Sequence, residues 1–457
     1  MSSELRKRWA QAGGDFPGSW KFVSFEELLS DSKSIAVGVM YPGSNTAGGV
    51  PLIKVGDVNN GLVSSRPSYC ISAEVNAEYK RTQLAGDELL ITLVGNPGEC
   101  IVVQQHMSGW NVARAIAVVR LSNPDLRVYL KAVLESRACR HLIDAVLNTT
   151  VQKTLNLKDI RLLPIPVPPK QVIDAISNFS DSLNARINLL RETNITLESI
   201  AQGLFKSWFV DFDPVRAKAE GLEPEGMDAA TAALFPDSFE ESEQRMVPKG
   251  WATRPIYEMA SYINGAAYKA FEPNSERRGL PIIKIAELKA GVTSQTAFSD
   301  IDMPAKYLID TGDILFSWSG NPDTSIDTFV WGYDPALLNQ HIFRVLPHDP
   351  VERSFVLQAL KNLKPVFAEL ARNKQTTGLG HVTVADLKRL HVVYPPQAII
   401  EQFNSIVEPI HQMIFGNEQR AHTLTQLRDT LLPRLISGQL RLPEATAATE
   451  KILSEAI

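Results

Sequence analysis

Two stretches decide how this chain reads: LNLKDIRLLPIPVPP (155–169) and VTVADLKRLHVVYPP (382–396). Leu157, Asp159, Ile160, Leu163, Pro168 and Pro169 match Val384, Asp386, Leu387, Leu390, Pro395 and Pro396, each pair offset by 227 residues (384 − 157, 396 − 169). The offset persists upstream, where Thr149 and Thr150 match Thr376 and Thr377, and Gly38-x-x-Tyr41 matches Gly265-x-x-Tyr268. A period this long is a whole domain copied, not a solenoid repeat. Two similar but non-identical modules suit a protein that reads two different things with one architecture.

Outward from these stretches, each copy follows one plan. VPLIKVGDV (50–58), ELLITLVG (88–95) and AIAVVRL (115–121) are apolar, rich in β-branched residues and bounded by Gly and Pro, so they predict strands. RVYLKAVLESRACRHLIDAVL (127–147) predicts a helix. The second copy repeats this with LPIIKIAEL (280–288), GDILFSWSG (312–320) and IFRVL (342–346) as strands and ERSFVLQALKNLKPVFAELA (352–371) as the helix. Gly86–Asp87 and Gly312–Asp313 precede the middle strands, and a Gly-Asn-Pro follows each, read as a turn.

Each proline stop runs into a long apolar seam. The first uses Ile173, Ile176, Leu183, Ile187, Leu190, Leu197, Ala201, Leu204 and Trp208, with Ser180 and Asn194 as polar entries. The second uses Ile400, Phe403, Val407, Ile410, Ile414, Ala421, Leu424, Leu431 and Leu435, with Asn417 and Arg428 as polar entries. Apolar residues alternating three and four apart over about five heptads define a coiled-coil seam. About 40 residues give helices of roughly 60 Å. An isolated helix would expose its stripe, so the two are expected to pair with each other. An antiparallel pair separates the modules and shortens the connection between them. The expected fold is therefore α+β: two mixed α/β modules joined by two long antiparallel helices, with a pseudo-two-fold plan.

The bulk composition suits a soluble intracellular protein. At 457 residues, the length prior is about three domains. Cys70, Cys100 and Cys139 show neither metal spacing nor pairing logic, which fits a reducing compartment and a cytoplasmic location. MSSELRKRWAQAGG at the start has no apolar core for a signal peptide, and no apolar run is long enough to span a bilayer. The net charge of −5 is uneven. Ten acids and three bases lie between Asp211 and Arg245, a local −7 that leaves +2 for the remainder. Residues 1–170 hold 19 Lys/Arg against 15 Asp/Glu. Mildly basic modules fit a protein that shares phosphate binding with partner subunits.

Catalytic signatures are absent. The chain has no G-x-x-x-x-G-K-[ST] loop, no G-x-G-x-x-G after a strand, no H-E-x-x-H and no Asn/Asp-Pro-Pro-aromatic run. No catalytic or metal-binding residue is assigned. The order of module, proline stop and heptad helix, twice over with an acidic segment between, resembles the specificity subunit of bacterial type I restriction–modification systems. LKDIRLLPIPVPPKQVI and ADLKRLHVVYPPQAIIEQF look like that family's junctions, and GLFKSWFVDFDPVRAKAEG (203–221) and LRDTLLPRLISGQLRL (427–442) like its central and distal conserved regions.

The resemblance implies target recognition domains at 1–170 and 246–397, and spacer helices at 171–211 and 398–440. It implies an acidic linker and central conserved region at 212–245 and a C-terminal tail at 441–457. It further implies a non-catalytic subunit that binds double-stranded DNA, each recognition domain reading half of a bipartite site. Two methyltransferase subunits would be recruited and, through them, motor-nuclease subunits. S-adenosylmethionine, ATP and Mg would belong to those partners, leaving this chain without a cofactor. Competing readings are a coiled-coil adaptor for proteins and a stand-alone restriction or methylation enzyme.

Candidate DNA-contacting residues follow from position and chemistry. Tyr41 and Tyr268 end the matched Gly-x-x-Tyr loops, and Lys269 follows only the second. Thr149, Thr150, Gln152 and Lys153, and Lys374, Gln375, Thr376, Thr377 and His381, precede the proline stops. Their amides and cations suit groove readout, since Gln matches adenine and Lys or Arg guanine. Asn59, Asn60, Arg66, Lys80 and Arg81 in the first module, and Arg277, Arg278, Lys289 and Gln295 in the second, complete the set. The competing reading of each is a solvated face or a packed loop. Trp208 is read as helix-pair core or a partner contact.

Overall fold

The computed structural model describes residues 2–14, 16–59, 61–63, 66–147, 153–242, 245–293, 295–374 and 379–455. Two compact units divide the chain: Met1–Asn188 with His422–Ile457, and Leu189–Ala421. Each unit holds one module and a half of each long helix.

In the first unit, a four-stranded antiparallel sheet runs in the order Ile35–Val37, Ile116–Val119, Leu89–Thr92, Cys100–Val102. Its central strands are apolar except for the buried Thr92, because both faces are covered. Leu89, Ile91, Ala117 and Val119 face a core that includes the helix Arg127–Glu135. Leu90, Ile116 and Val118 face a second core with Ile53, Val63 and Leu84. That alternation is the two-residue period of a strand buried on both sides. Each large side chain so buried contributes about 1.5–3 kcal/mol. Val50–Ile53 pairs with Asn111–Val112 in parallel and with Cys70–Ile71 in antiparallel.

The second unit repeats the pattern. Ala260–Asn264, Ile342–Pro347, Ile314–Ser317 and Asp327–Val330 form its four-stranded sheet. Ile314 and Phe316 face one core and Leu315 the other. Leu280–Ile283 pairs in parallel with Ala336–Leu338.

Both Gly-Asp pairs turn through left-handed glycines, Gly86 at φ 106° and Gly312 at φ 93°. The turns are held alike: Arg127 Nη1 donates to Gly86 O at 2.9 Å, and Arg353 Nη2 to Gly312 O at 2.7 Å. A side chain at either glycine would be strained in that conformation.

Several expectations are refined. The helix expected over 127–147 is two, Arg127–Glu135 and Arg137–Leu147, because Ser136 is extended (ψ 151°) and its hydroxyl donates to Val133 O. The helix expected over 352–371 likewise splits at Leu363, with Pro365 in the first turn of Lys364–Asn373. The proline stops are themselves short strands: Pro164–Val167 pairs with Lys21–Ser24, and His391–Tyr394 with Ala252–Pro255. The N-terminal helix Ser2–Gln11 buries Leu5 and Trp9 in the first unit's core. The described residues between 212 and 245 are folded. Asp228 caps the helix Ala229–Leu234, and Phe239–Glu241 pairs with Met246–Pro248. Phe212, Val215, Phe235 and Val247 are buried in the second unit's core, while Glu220, Glu223 and Glu225 are not buried.

The long helices run Lys170–Lys206, extended by a π-turn at Ser207–Asp211, and Gln397–Ile436. They pair antiparallel within each unit. In the second, Asn417 Nδ2 donates to Asn194 Oδ1 at 2.9 Å, and Asn194 Nδ2 to Ile414 O at 2.9 Å. Further up the first helix, Phe205 and Trp208 meet Phe403 at 5.9 and 5.8 Å between ring centres. In the first, Arg428 Nη1 donates to Asn184 Oδ1 at 2.9 Å, and Ile173 and Ile176 share a core with Leu431 and Leu435. Polar entries thus meet polar partners, which fixes the register of an otherwise slippery seam.

A buried polar cluster ties the second module to its helices. His411 Nδ1 lies 3.1 Å from Ser354 Oγ, and its Nε2 lies 2.9 Å from Gln358 Nε2. Ser354 donates to Glu408 at 2.6 Å, and Lys361 Nζ donates to Glu198 at 2.6 Å. Burial foremost, then Lys361, holds the His411 imidazole at about 4 and therefore neutral.

Candidate nucleic-acid interface

In each unit three segments meet at one end of the parallel strand pair, joined by main-chain hydrogen bonds. Gly38 N–H donates to Ile116 O at 3.0 Å, and Gly265 N–H to Ile342 O at 3.2 Å. Ala113 N–H donates to Ile53 O at 2.8 Å, and Asn339 N–H to Ile283 O at 3.0 Å. Leu93 N–H donates to Ala115 O at 2.7 Å, and Trp318 N–H to His341 O at 3.3 Å. Leu155 N–H donates to Leu93 O at 2.9 Å, and Val382 N–H to Trp318 O at 2.8 Å. Four matched pairs of bonds make this a shared frame. Into it run the Gly-x-x-Tyr loop, the tight turn at 113–116 or 339–342, and the segment before the proline stop.

The frame explains the matched glycines. A Cβ on Gly38 would stand 2.2 Å from Val112 O, and one on Gly265 2.2 Å from Leu338 O. Two backbones pass here too closely for any side chain. Tyr41, three residues on, is 78% exposed. Tyr268 is 38% exposed, with Lys284 Nζ 5.3 Å from its ring centre. Lys269 beside it is exposed.

The other candidates divide. Lys153 is exposed two residues before Leu155, and His381 immediately precedes Val382, so both sit at the frame. Asn60, Thr149, Thr150, Gln152, Gln375, Thr376 and Thr377 lie outside the described residues, as does the side chain of Asn59. Arg66 is exposed on a loop. Lys80 and Arg81 line a shallow groove with Ile35, Val37 and Leu157, and Arg81 donates to Lys33 O at 2.8 Å.

In the second unit several cations are occupied. Arg277 stacks 4.4 Å from the Phe298 ring centre and donates to Thr293 O at 2.9 Å. Arg278 pairs with Asp300 at 2.8 Å and with Glu276. Lys289 donates to Thr324 O, whereas Gln295 is exposed. Lys374 holds the buried carboxylate of Asp386 at 2.5 Å, bracing the short helix Val384–Arg389. Trp208 is buried in the second unit's core.

Sequence reasoning passed over four residues at the frame. Trp318 and His341 rings are 5.6 Å apart and Trp318 and His381 5.8 Å, while Trp318 Nε1 donates to Asn264 Oδ1 at 3.1 Å. Burial, then the neighbouring His381, holds His341 below its ordinary imidazole value. Arg114 and Gln340 occupy one matched position, and Arg114 is exposed. The signal that would have found them was the Gly38–Gly265 match carried through the strand pairing.

Among the described residues no His/Cys/Asp/Glu group of three or more could hold a metal ion, and no helix is long and apolar enough to cross a membrane.

The second copy of this frame lies within a stretch that matches a known domain class. Residues 248–431 match the model of the type I restriction modification DNA specificity domain. The relatives carry the same name. The chain is 24% identical over 453 residues to the type I restriction enzyme HindI specificity subunit of Haemophilus influenzae, covering 86% of this chain and 94% of that one. It is 24% identical over 301 residues to the MjaIX specificity subunit of Methanocaldococcus jannaschii, covering 64% of this chain and 63% of that relative's length. A crystal structure of a type I S subunit from M. genitalium aligns over 91% of this chain and 96% of that one, at 15% identity and a TM-score of 0.49. The resemblance of the junction motifs to type I specificity subunits holds.

Proposed function

We propose that this chain is the DNA-recognition subunit of a type I restriction–modification assembly, each module reading one half of a bipartite asymmetric site. The observation that carries this reading is the shared main-chain frame presenting different side chains in the two units, beside the specificity-domain match. One architecture with two sets of edge residues is what two unlike half-sites require. The helix pair sets the gap between half-sites and recruits two methyltransferase subunits, with motor-nuclease subunits joining through them. Adenine methylation, ATP turnover and cleavage belong to those cytoplasmic partners, together with S-adenosylmethionine and Mg.

The test exchanges residues 246–397 for the matching region of another specificity subunit and compares the sequences selected from a randomised duplex library. Only one half of the selected sequence changes. A change in both halves overturns independent reading, and turnover of ATP or S-adenosylmethionine by the purified chain overturns the non-catalytic role. The Asn194–Asn417 bond gives the register for a second variant: seven residues inserted after Leu190 and after Arg420 keep the seam in phase. They lengthen the pair by about 10 Å, roughly three base pairs, so the gap widens while both halves persist.

A further inference from the structure

One position in the frame is held identically in both units yet carries different chemistry. Arg114 N–H donates to Val39 O at 3.0 Å, two residues before Tyr41. Gln340 N–H donates to Ala266 O at 2.9 Å, two residues before Tyr268. The residue just before each is fixed as well, by Ala113 to Ile53 and Asn339 to Ile283. Each residue lies in a two-residue turn between strands, closed by Ile116 N–H to Ala113 O at 2.9 Å or Ile342 N–H to Asn339 O at 3.2 Å, and a turn so clamped positions a side chain more tightly than a free loop does.

The two side chains differ in what they can recognise. The Arg114 guanidinium is exposed and makes no hydrogen bond or ion pair with any other described residue. Arg81, Arg277, Arg278 and Lys374 are each engaged by a partner in the protein. The half-buried Gln340 places its amide nitrogen 3.4 Å from His341 Nε2, and His341 packs against Trp318. A guanidinium fork fits guanine O6 and N7, and a carboxamide fits adenine N6 and N7.

We infer that Arg114 and Gln340 are the corresponding base-reading residues of the two units, Arg114 selecting a guanine in one half-site and Gln340 an adenine in the other. The inference rests on the DNA-recognition reading above and adds the residues and the bases. Tyr41 and Tyr268, each two residues past the carbonyl that holds its reader, flank the contact.

The experiment selects duplexes from a randomised double-stranded library with the full chain at low salt, then sequences them. Parent, Arg114→Ala, Arg114→Lys and Gln340→Ala are compared, with thermal melting of each. The parent enriches a two-part motif. Arg114→Ala reduces one guanine preference from roughly tenfold or more to near parity, leaving the other half unchanged, and Arg114→Lys weakens the same preference without abolishing it. Arg114→Lys retains overall affinity and salt dependence, since the charge stays while the fork is lost. Gln340→Ala flattens one adenine position in the opposite half only.

An unchanged motif in all variants overturns the inference. So does uniform weakening by Arg114→Ala with a salt slope lower by about one, the mark of a phosphate contact. Arg114→Lys conserves charge at an exposed site, so a weakened guanine preference there does not come from misfolding. A parent that enriches no motif overturns the recognition reading itself, and the assignment with it.

Discussion

In both units a Cβ placed on the matched glycine would stand 2.2 Å from a main-chain carbonyl oxygen, yet the residues that follow have parted company. Tyr41 stands 78% exposed, whereas Tyr268 is half as exposed and sits under Lys284. Leu93 and Ala115 in the first frame stand where Trp318 and His341 stand in the second. The interiors differ as well. Ile176 of the first seam corresponds by the repeat to Phe403 of the second, which lies among Phe205, Trp208, Phe209 and Phe355. Where a position is defined by main-chain geometry the copies agree. Where it is defined by side-chain packing they have each found their own solution.

The largest test of that contrast is Phe403→Ala, expected to cost the second unit about 3–5 kcal/mol, against about 2–4 for Ile176→Ala in the first. Urea unfolding of both variants reads the difference. Equal costs would mean that the aromatic crowd adds nothing beyond buried area.

His411 should give the second unit a pH dependence that the first lacks, since the matching position there is Asn184. Its folded value, about 4, lies below the ordinary 6.5. Burial is the main cause; Lys361 and Arg353 push it down further, and Glu198 and Glu408 oppose them. With the folded value depressed, the unfolded state takes up the proton first. The stabilisation is therefore complete above about 6.5 and declines as pH falls toward 4, by up to about 3 kcal/mol. His411→Gln should flatten that decline in unfolding midpoints measured from pH 7 to 4. An unaltered slope would assign it to other groups.

Gly38→Ala and Gly265→Ala should each cost about 1–3 kcal/mol by overpacking backbone against backbone. Matched losses in melting experiments would uphold the shared frame, and a neutral Gly38→Ala would break it. The smallest effect expected is Asn417→Ala, about 1 kcal/mol from a lost amide pair that leaves Asn194 Oδ1 unmatched. Denaturation with and without the variant checks it.

The repeat, the α+β character, the paired helices and their polar entries were legible because they rest on periodicity. A helix break at Ser136 was not, since serine is tolerated in helices and its extended conformation is set by tertiary packing. The folding of 212–245 was hidden because acids dominate its composition, whereas a few spaced apolar anchors decide its structure. At the interface, Tyr41 and Tyr268 stood out as identities. Arg114 and Gln340 did not, because corresponding positions with different side chains leave no mark in a self-comparison. Arg278 and Lys374 looked available in one dimension and are occupied in three.

A frame fastened by N–H and C=O groups is indifferent to the side chains it displays. Every residue but proline brings the same two atoms, so exchanging one edge residue for another leaves the fastening intact. On the proposed function, such a molecule can change what it recognises in single substitutions without passing through unfolded intermediates. Its capacity for new specificities is limited by the chemistry of the edge and not by the stability of the scaffold behind it.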